Sequence, residues 1–183
     1  MTEMESNFYV ITGGPGVGKT TLLNELGRNG YKIVSEEARR IIKEQVKIQG
    51  TALPWKDKDL YARLMFDESF KTYQNIKDEN SSELVFFDRG ILDTICYFNM
   101  EKISISEEMR LLTNEITYNE KVFILPPWKE IYENDLERKQ SWDEAVFTFE
   151  KIKETYLYHG YSVIEVPKDT KENRLKFLVN EIG

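Results

Sequence analysis

Cysteine is nearly missing from this 183-residue chain: Cys96 is the one thiol, which excludes an internal disulfide. Histidine also occurs once, as His159, so no Cys/His cluster suggests zinc. No apolar run is long enough to span a bilayer, and the acidic start, Met1-Thr2-Glu3-Met4-Glu5-Ser6, lacks a signal-peptide pattern. A cytosolic location is the resulting expectation. No internal repeat, low-complexity tract or linker divides the chain, so one domain over residues 1–183 is expected. No G-x-S-x-G elbow points to a hydrolase triad. Basic residues are outnumbered, 25 against 32 acidic, and the formal charge of −7 argues against a general nucleic-acid surface. It leaves room for a local basic pocket.

What the chain does have is one glycine-rich stretch, Gly13-Gly14-Pro15-Gly16-Val17-Gly18-Lys19-Thr20, which reads G-x-x-x-x-G-K-[ST]. An apolar run, Phe8-Tyr9-Val10-Ile11, precedes it, and a helical pattern opening at Thr21 follows. This is the strand–loop–helix context of a phosphate-binding loop. Gly13 and Gly18 permit backbone angles that a side chain forbids, so the loop N–H groups can turn inward as an anion nest. A helix starting near Lys19 aims its positive dipole end at the same point. Lys19 is expected to reach the β- and γ-phosphates, and Thr20 to place its hydroxyl on Mg²⁺. Residues 13–21, Thr21 included, form the candidate nucleotide site.

Along the chain, apolar runs alternate with helical patterns. Strands are expected at Phe8–Thr12, Tyr31–Val34, Leu84–Phe87, Val122–Leu125 and Tyr161–Val166. Helices are expected after the loop to about Asn29, from a Ser35 cap to Gly50, near Asp57 to Lys77, at Leu92–Met100, at Ser106–Thr117, at Trp142–Tyr158 and at Thr170–Ile182. Gly27 and Gly30 are expected to help end the first helix. This alternation predicts a parallel sheet with helices on both faces and ligands beyond the carboxyl ends of the strands.

Several polar clusters fall at such ends. Asp88 closes the third strand, where a carboxylate can hold Mg²⁺ beside Thr20 or merely cap a turn. Arg89 is placed either to clamp a phosphoryl group or acceptor, or to form a structural salt bridge. Glu36, Glu37, Arg39 and Arg40 follow the second strand. A carboxylate there can bind or deprotonate a substrate hydroxyl, or simply sit at a solvated helix start. Asp135-Leu136-Glu137-Arg138-Lys139 follows the fourth strand, where a lid at about residues 126–141 would supply Arg138, with Lys139 second, to developing charge. An exposed charged helix is the competing reading. Pro167, after the fifth strand, is expected to border the nucleotide base. Trp55, Trp128 and Trp142 are candidates for an acceptor pocket, although large aromatics more often pack. His159, beside Gly160, suits a helix C-terminus.

GGPGVGKTTLL, EEARRII, LVFFDRGILDT, FILPPW and DLERKQ occur in this order. Together they resemble the NadR-like AAA-domain family of small phosphate-loop ATPases and kinases, from about Phe8 to Val179. The resemblance implies a three-layer α/β fold with a five-stranded sheet ordered 2-3-1-4-5, as in nucleoside and nucleotide kinases, and ATP or GTP with Mg²⁺. In ribosylnicotinamide kinase members the Glu of E-x-A-R lies near the acceptor ribose and the D-x-x-R segment belongs to the lid. Those positions are Glu36 and Arg138 here. Asp88-Arg89-Gly90 is more similar to the D-R of thymidylate kinases.

Two functions are carried forward. The first is a kinase moving the γ-phosphoryl of ATP or GTP to a small hydroxylated, nucleoside-like acceptor. Its catalytic set would be Lys19, Glu36, Asp88 and Arg138, with Glu36, Arg39, Asp88 and Arg89 at the acceptor and Thr20 and Asp88 on Mg²⁺. The second is a nucleotide-dependent switch acting on a protein or lipid partner. No second basic finger or oligomerisation signature supports a ring-forming ATPase. A closed pocket opposite the γ-phosphate favours the kinase, and a shallow surface favours the switch.

Overall fold

Successive residues of the first strand, β1 (Phe8–Gly13), point to opposite faces of a sheet, and all six are buried. Phe8 and Val10 join one apolar core, Tyr9 and Ile11 another. The continuous apolar run is therefore the mark of a strand covered on both sides. The computed structural model describes residues 6–79, 82–132 and 141–183.

Helix α1 (Lys19–Arg28) follows β1, then β2 (Lys32–Val34), α2 (Glu37–Lys47), α3 (Lys58–Asp78) and β3 (Val85–Asp88). Next come α4 (Ile91–Met100), α5 (Glu107–Asn114), β4 (Lys121–Leu125), α6 (Trp142–Tyr158), β5 (Ser162–Glu165) and α7 (Lys171–Ile182). The sheet runs β2-β3-β1-β4-β5 with all four pairings parallel. This is the three-layer order that the resemblance implied. Helices α3, α4 and α6 cover the face bearing Phe8, Val10 and Phe87. Helices α1 and α7 cover the face bearing Ile11, Phe86 and Phe123. Among the described residues no helix is long and apolar enough to cross a membrane.

Register sets the site. Ile11 lies opposite Asp88 and Gly13 opposite Leu125, so β1 and β4 end level with one another and β3 two residues earlier. The loop after β1 and the turn after β3 therefore leave the sheet side by side, as ligand sites in open parallel sheets require.

Some boundaries differ from the sequence reading. Ser35 does not cap α2: Glu36 occupies the cap position and its side chain makes no capping bond, being engaged elsewhere. Gln49, not Gly50, takes the left-handed turn after α2, at φ 54°. Gly27 lies within α1, and Gly30, at φ 88°, makes the turn after it. Helix α5 stops three residues short of Thr117, whose N–H is taken at 2.9 Å by the Tyr73 hydroxyl. Leu60, an apolar residue of the first turn of α3, is exposed. Asp57, Ser106 and Ser141 do cap their helices, accepting from Leu60, Met109 and Glu144 amides.

Candidate active site

The loop between β1 and α1 is held open by glycine. At Gly13 the backbone sits at φ 145°, and a Cβ there would come within 2.7 Å of the Leu125 carbonyl oxygen. Gly18, at φ 80°, is the cap residue of α1 and has no side chain to cap it. The first amides of α1 are thus left for an outside anion. Gly14, Pro15 and Gly16 form the arch of the loop, Val17 anchors it in the core beneath, and Thr20 and Thr21 stand exposed on the first turn.

Lys19 is buried and ion-paired with Asp88. Burial pushes its ammonium below the ordinary lysine range, Arg89 adds to this, and Asp88 and Glu36 counter it. The pair links the loop directly to the end of β3.

Arg89 is the hub of the next layer. Its backbone lies at φ 71°, a left-handed conformation costing a non-glycine residue roughly 1–2 kcal/mol. The side chain justifies the strain: Nε donates to Glu36 at 2.9 Å and Nη1 to Asp93 at 3.2 Å. Burial would lower its pKa, but Glu36, Asp93 and Asp88 more than reverse that. Strain of this kind persists where the surrounding structure over-determines it, and such places cluster at functional sites.

Glu36 is not a solvated helix start. Its side chain is 12% exposed, and it holds Arg39 at 3.3 Å as well as Arg89. Burial pushes its carboxyl up, but Arg89, Lys19 and Arg39 outweigh burial and hold it below the usual range. A depressed folded-state pKa stabilises the fold above the unfolded value, about 4.3. That stability is lost as pH falls through the folded value. Thermal unfolding followed from pH 7 to pH 3 is expected to show a steeper acid loss for the wild type than for Glu36→Gln. Parallel curves would refute the pairing.

Behind Glu36 and Arg89 lies a cavity of about 290 Å³. Pro15 of the loop, Glu36, Asp88 and Arg89 form its loop-side wall, and Tyr61 and Tyr97 line it farther in, edge to face at 5.7 Å. The volume sits at the lower edge of the roughly 300–1,000 Å³ typical of ligand pockets, room for a small metabolite. The Tyr97 hydroxyl oxygen is buried with no hydrogen-bond partner among the described residues. Burial pushes the Tyr61 phenol up to about 12 and the Cys96 thiol, also on the wall, up to about 11. Both stay protonated near neutrality, so Cys96 is no nucleophile there.

The structure thus gathers Lys19, Glu36, Asp88 and Arg89. Arg39 stays on the surface, outside the cavity wall. Pro167 is exposed in the turn before α7. None of the three tryptophans lines the cavity: Trp55 is exposed, Trp142 packs edge-on against Tyr132 at 5.5 Å, and the Arg174 guanidinium lies over Trp128. His159 closes α6, its Nδ1 2.9 Å from the Thr155 carbonyl oxygen. Arg138 and Lys139 lie outside the described residues, as does residue range 133–140 of the expected lid.

Sequence reasoning missed Asp93. This buried carboxylate accepts from the Thr12 hydroxyl, from the Gly90 amide at 3.0 Å, from the Tyr156 hydroxyl at 2.7 Å and from Arg89. It locks the turn that aims Arg89. The one local signal was an acidic residue three places after Gly90, at the helix position where acids serve capping.

A family profile described as AAA domain matches residues 8–174. No curated protein sequence matches the chain. Among solved structures, NadR protein in complex with NR superposes with a TM-score of 0.68 at 19% identity, over 97% of this chain and 50% of its own. The chain therefore spans about half the length of that protein. Deoxyadenosine kinase from M. mycoides, with products dCMP and dCDP bound, gives 0.60 at 15% identity over 96% of this chain and 98% of its own. Thymidylate kinase from Ehrlichia chaffeensis gives 0.61 at 16% identity over 98% and 100%. At such identities the likeness is one of fold.

Proposed function

The chain belongs to the AAA-domain family, and from that premise we propose that it is a phosphotransferase, moving the γ-phosphoryl group of ATP or GTP to a hydroxyl of a small, nucleoside-like metabolite. One observation carries the reading: a concave, half-open cavity, lined by Glu36, Asp88 and Arg89, meets the phosphate loop at Pro15. A switch needs only the loop. A walled pocket beside it is what a second substrate requires.

The triphosphate would lie on the loop amides and the first turn of α1. Lys19 would leave Asp88 for the β- and γ-phosphates, where its charge offsets that building on the transferring group. Oxygen donors suit magnesium here: the exposed Thr20 hydroxyl and the Asp88 carboxylate are beside the loop, and no group of three or more His, Cys, Asp or Glu among the described residues makes an all-protein cage. When bound, the ion would supply charge neutralisation at the phosphate oxygens. Glu36 would orient or deprotonate the acceptor hydroxyl, its carboxylate fixed by Arg89. Arg138 is proposed as the lid arginine on the transferring phosphoryl group, and Pro167 as a border of the base.

Purified protein with MgATP or MgGTP, screened over nucleosides and other hydroxylated metabolites for ADP or GDP release, is expected to show acceptor-stimulated turnover. No stimulation anywhere in the panel would overturn the kinase reading. Glu36→Gln is expected to leave nucleotide affinity unchanged and to slow transfer by about 10²–10⁴. If binding and rate both survive, Glu36 has no role in transfer.

A further inference from the structure

Arg174, in α7, stands on the far side of the phosphate loop from the cavity. It is 95% buried, with 5% of its surface exposed, yet it has no acidic partner among the described residues. Its Nη2 donates to the Val17 carbonyl oxygen at 3.1 Å, its guanidinium carbon lies 5.8 Å from the centre of the Trp128 ring, and its Nε has no hydrogen-bond partner among the described residues. A buried cation with no acidic partner among the described residues is costly, and burial accordingly lowers its pKa. Such a group is kept for a reason other than stability.

The peptide unit it holds supplies the reason. A trans peptide is planar, and its C=O and N–H point in opposite directions. Pinning the Val17 carbonyl outward, against Arg174, turns the Gly18 N–H inward, toward the concavity of the loop. Gly18 also makes room for this contact: a Cβ there would lie 2.7 Å from Arg174 Nη1. The last glycine of the loop thus serves both its own left-handed backbone and the approach of the guanidinium. We propose that Arg174 is a positioning residue for polyphosphate binding: it fixes the orientation of the Val17–Gly18 peptide and sets a positive charge behind the anion nest. The proposal rests on the phosphate-loop reading and is independent of which acceptor the cavity takes.

The role makes two demands that a packing role does not. The effect must fall on the phosphates, whatever base they carry, and it must separate from stability. Arg174→Met keeps the length and apolar stem but removes charge and donor, and Arg174→Lys keeps the charge. Calorimetry of each with MgATP and with magnesium tripolyphosphate, beside thermal unfolding of the ligand-free proteins, tests this. Arg174→Met is expected to weaken both ligands by the same factor, about tenfold or more, with a melting temperature no lower than wild type. Arg174→Lys should recover part of the loss for both. Wild-type affinity in Arg174→Met overturns the proposal. So does a loss confined to MgATP, which would make Arg174 a contact to the base. If Arg174→Met does not fold, Arg174→Lys decides on the same comparison: equal, smaller losses for both ligands support the role, and unchanged or base-dependent affinity refutes it. A wild-type protein that binds neither ligand would instead bring down the phosphate-loop reading itself.

Discussion

Lys19→Ala is expected to abolish turnover while leaving a folded protein. Removing one preorganised donor from developing charge typically costs about 10²–10³ in rate, and Lys19 is a full charge at the proposed point of transfer. It is also buried and desolvated by the folded protein, so its loss relieves a penalty as well as removing the Asp88 partner. MgATP affinity measured by calorimetry should fall with the rate, and the circular dichroism spectrum and urea midpoint should stay near wild type. Normal catalysis by this variant would refute the assignment of the loop. A collapsed fold would instead make the Lys19–Asp88 pair structural.

The largest stability effect is expected at Asp93, which no sequence motif singled out. Asp93→Ala strands four donors at once. The Thr12 and Tyr156 hydroxyls lose their acceptor in the core, the Gly90 amide loses its own, and Arg89 loses one of the two carboxylates its side chain donates to among the described residues. Breaking a buried charged pair from one side costs about 3–5 kcal/mol. For a chain of this size that corresponds to roughly 10 °C in melting temperature. Asp93→Asn, which keeps an acceptor oxygen, should lose less. Equal, small losses in both variants would show that the network is not sustained in solution.

The contrast between these two positions shows what a linear chain discloses. Lys19 was legible because its chemistry is local: glycines, lysine and threonine at fixed spacing between a strand and a helix. The five strands were legible because a strand covered on both faces must be apolar throughout, as Phe8–Ile11 and Val122–Leu125 are. The sheet order came through the family resemblance, since strand alternation alone leaves several orders open. Asp93 and Arg174 were not legible. The partners that hold them in the core stand far away in sequence, Thr12 and Tyr156 for Asp93 and Val17 for Arg174, and an Asp or Arg in a helix ordinarily reads as surface. Glu36 lay between. Its contact with Arg39 follows from helical spacing, but the decisive partner, Arg89, is brought from another strand end by the parallel register of β2 and β3.

The Lys19–Asp88 pair also bears on what the protein will admit. With ammonium and carboxylate satisfying one another, a visiting polyanion must part them, and a bare one would claim the ammonium and leave the carboxylate orphaned. A metal chelate would offer each of them a new counterpart in the same event. On the proposed function, discrimination between chelated and unchelated nucleotide would therefore reside in this pair.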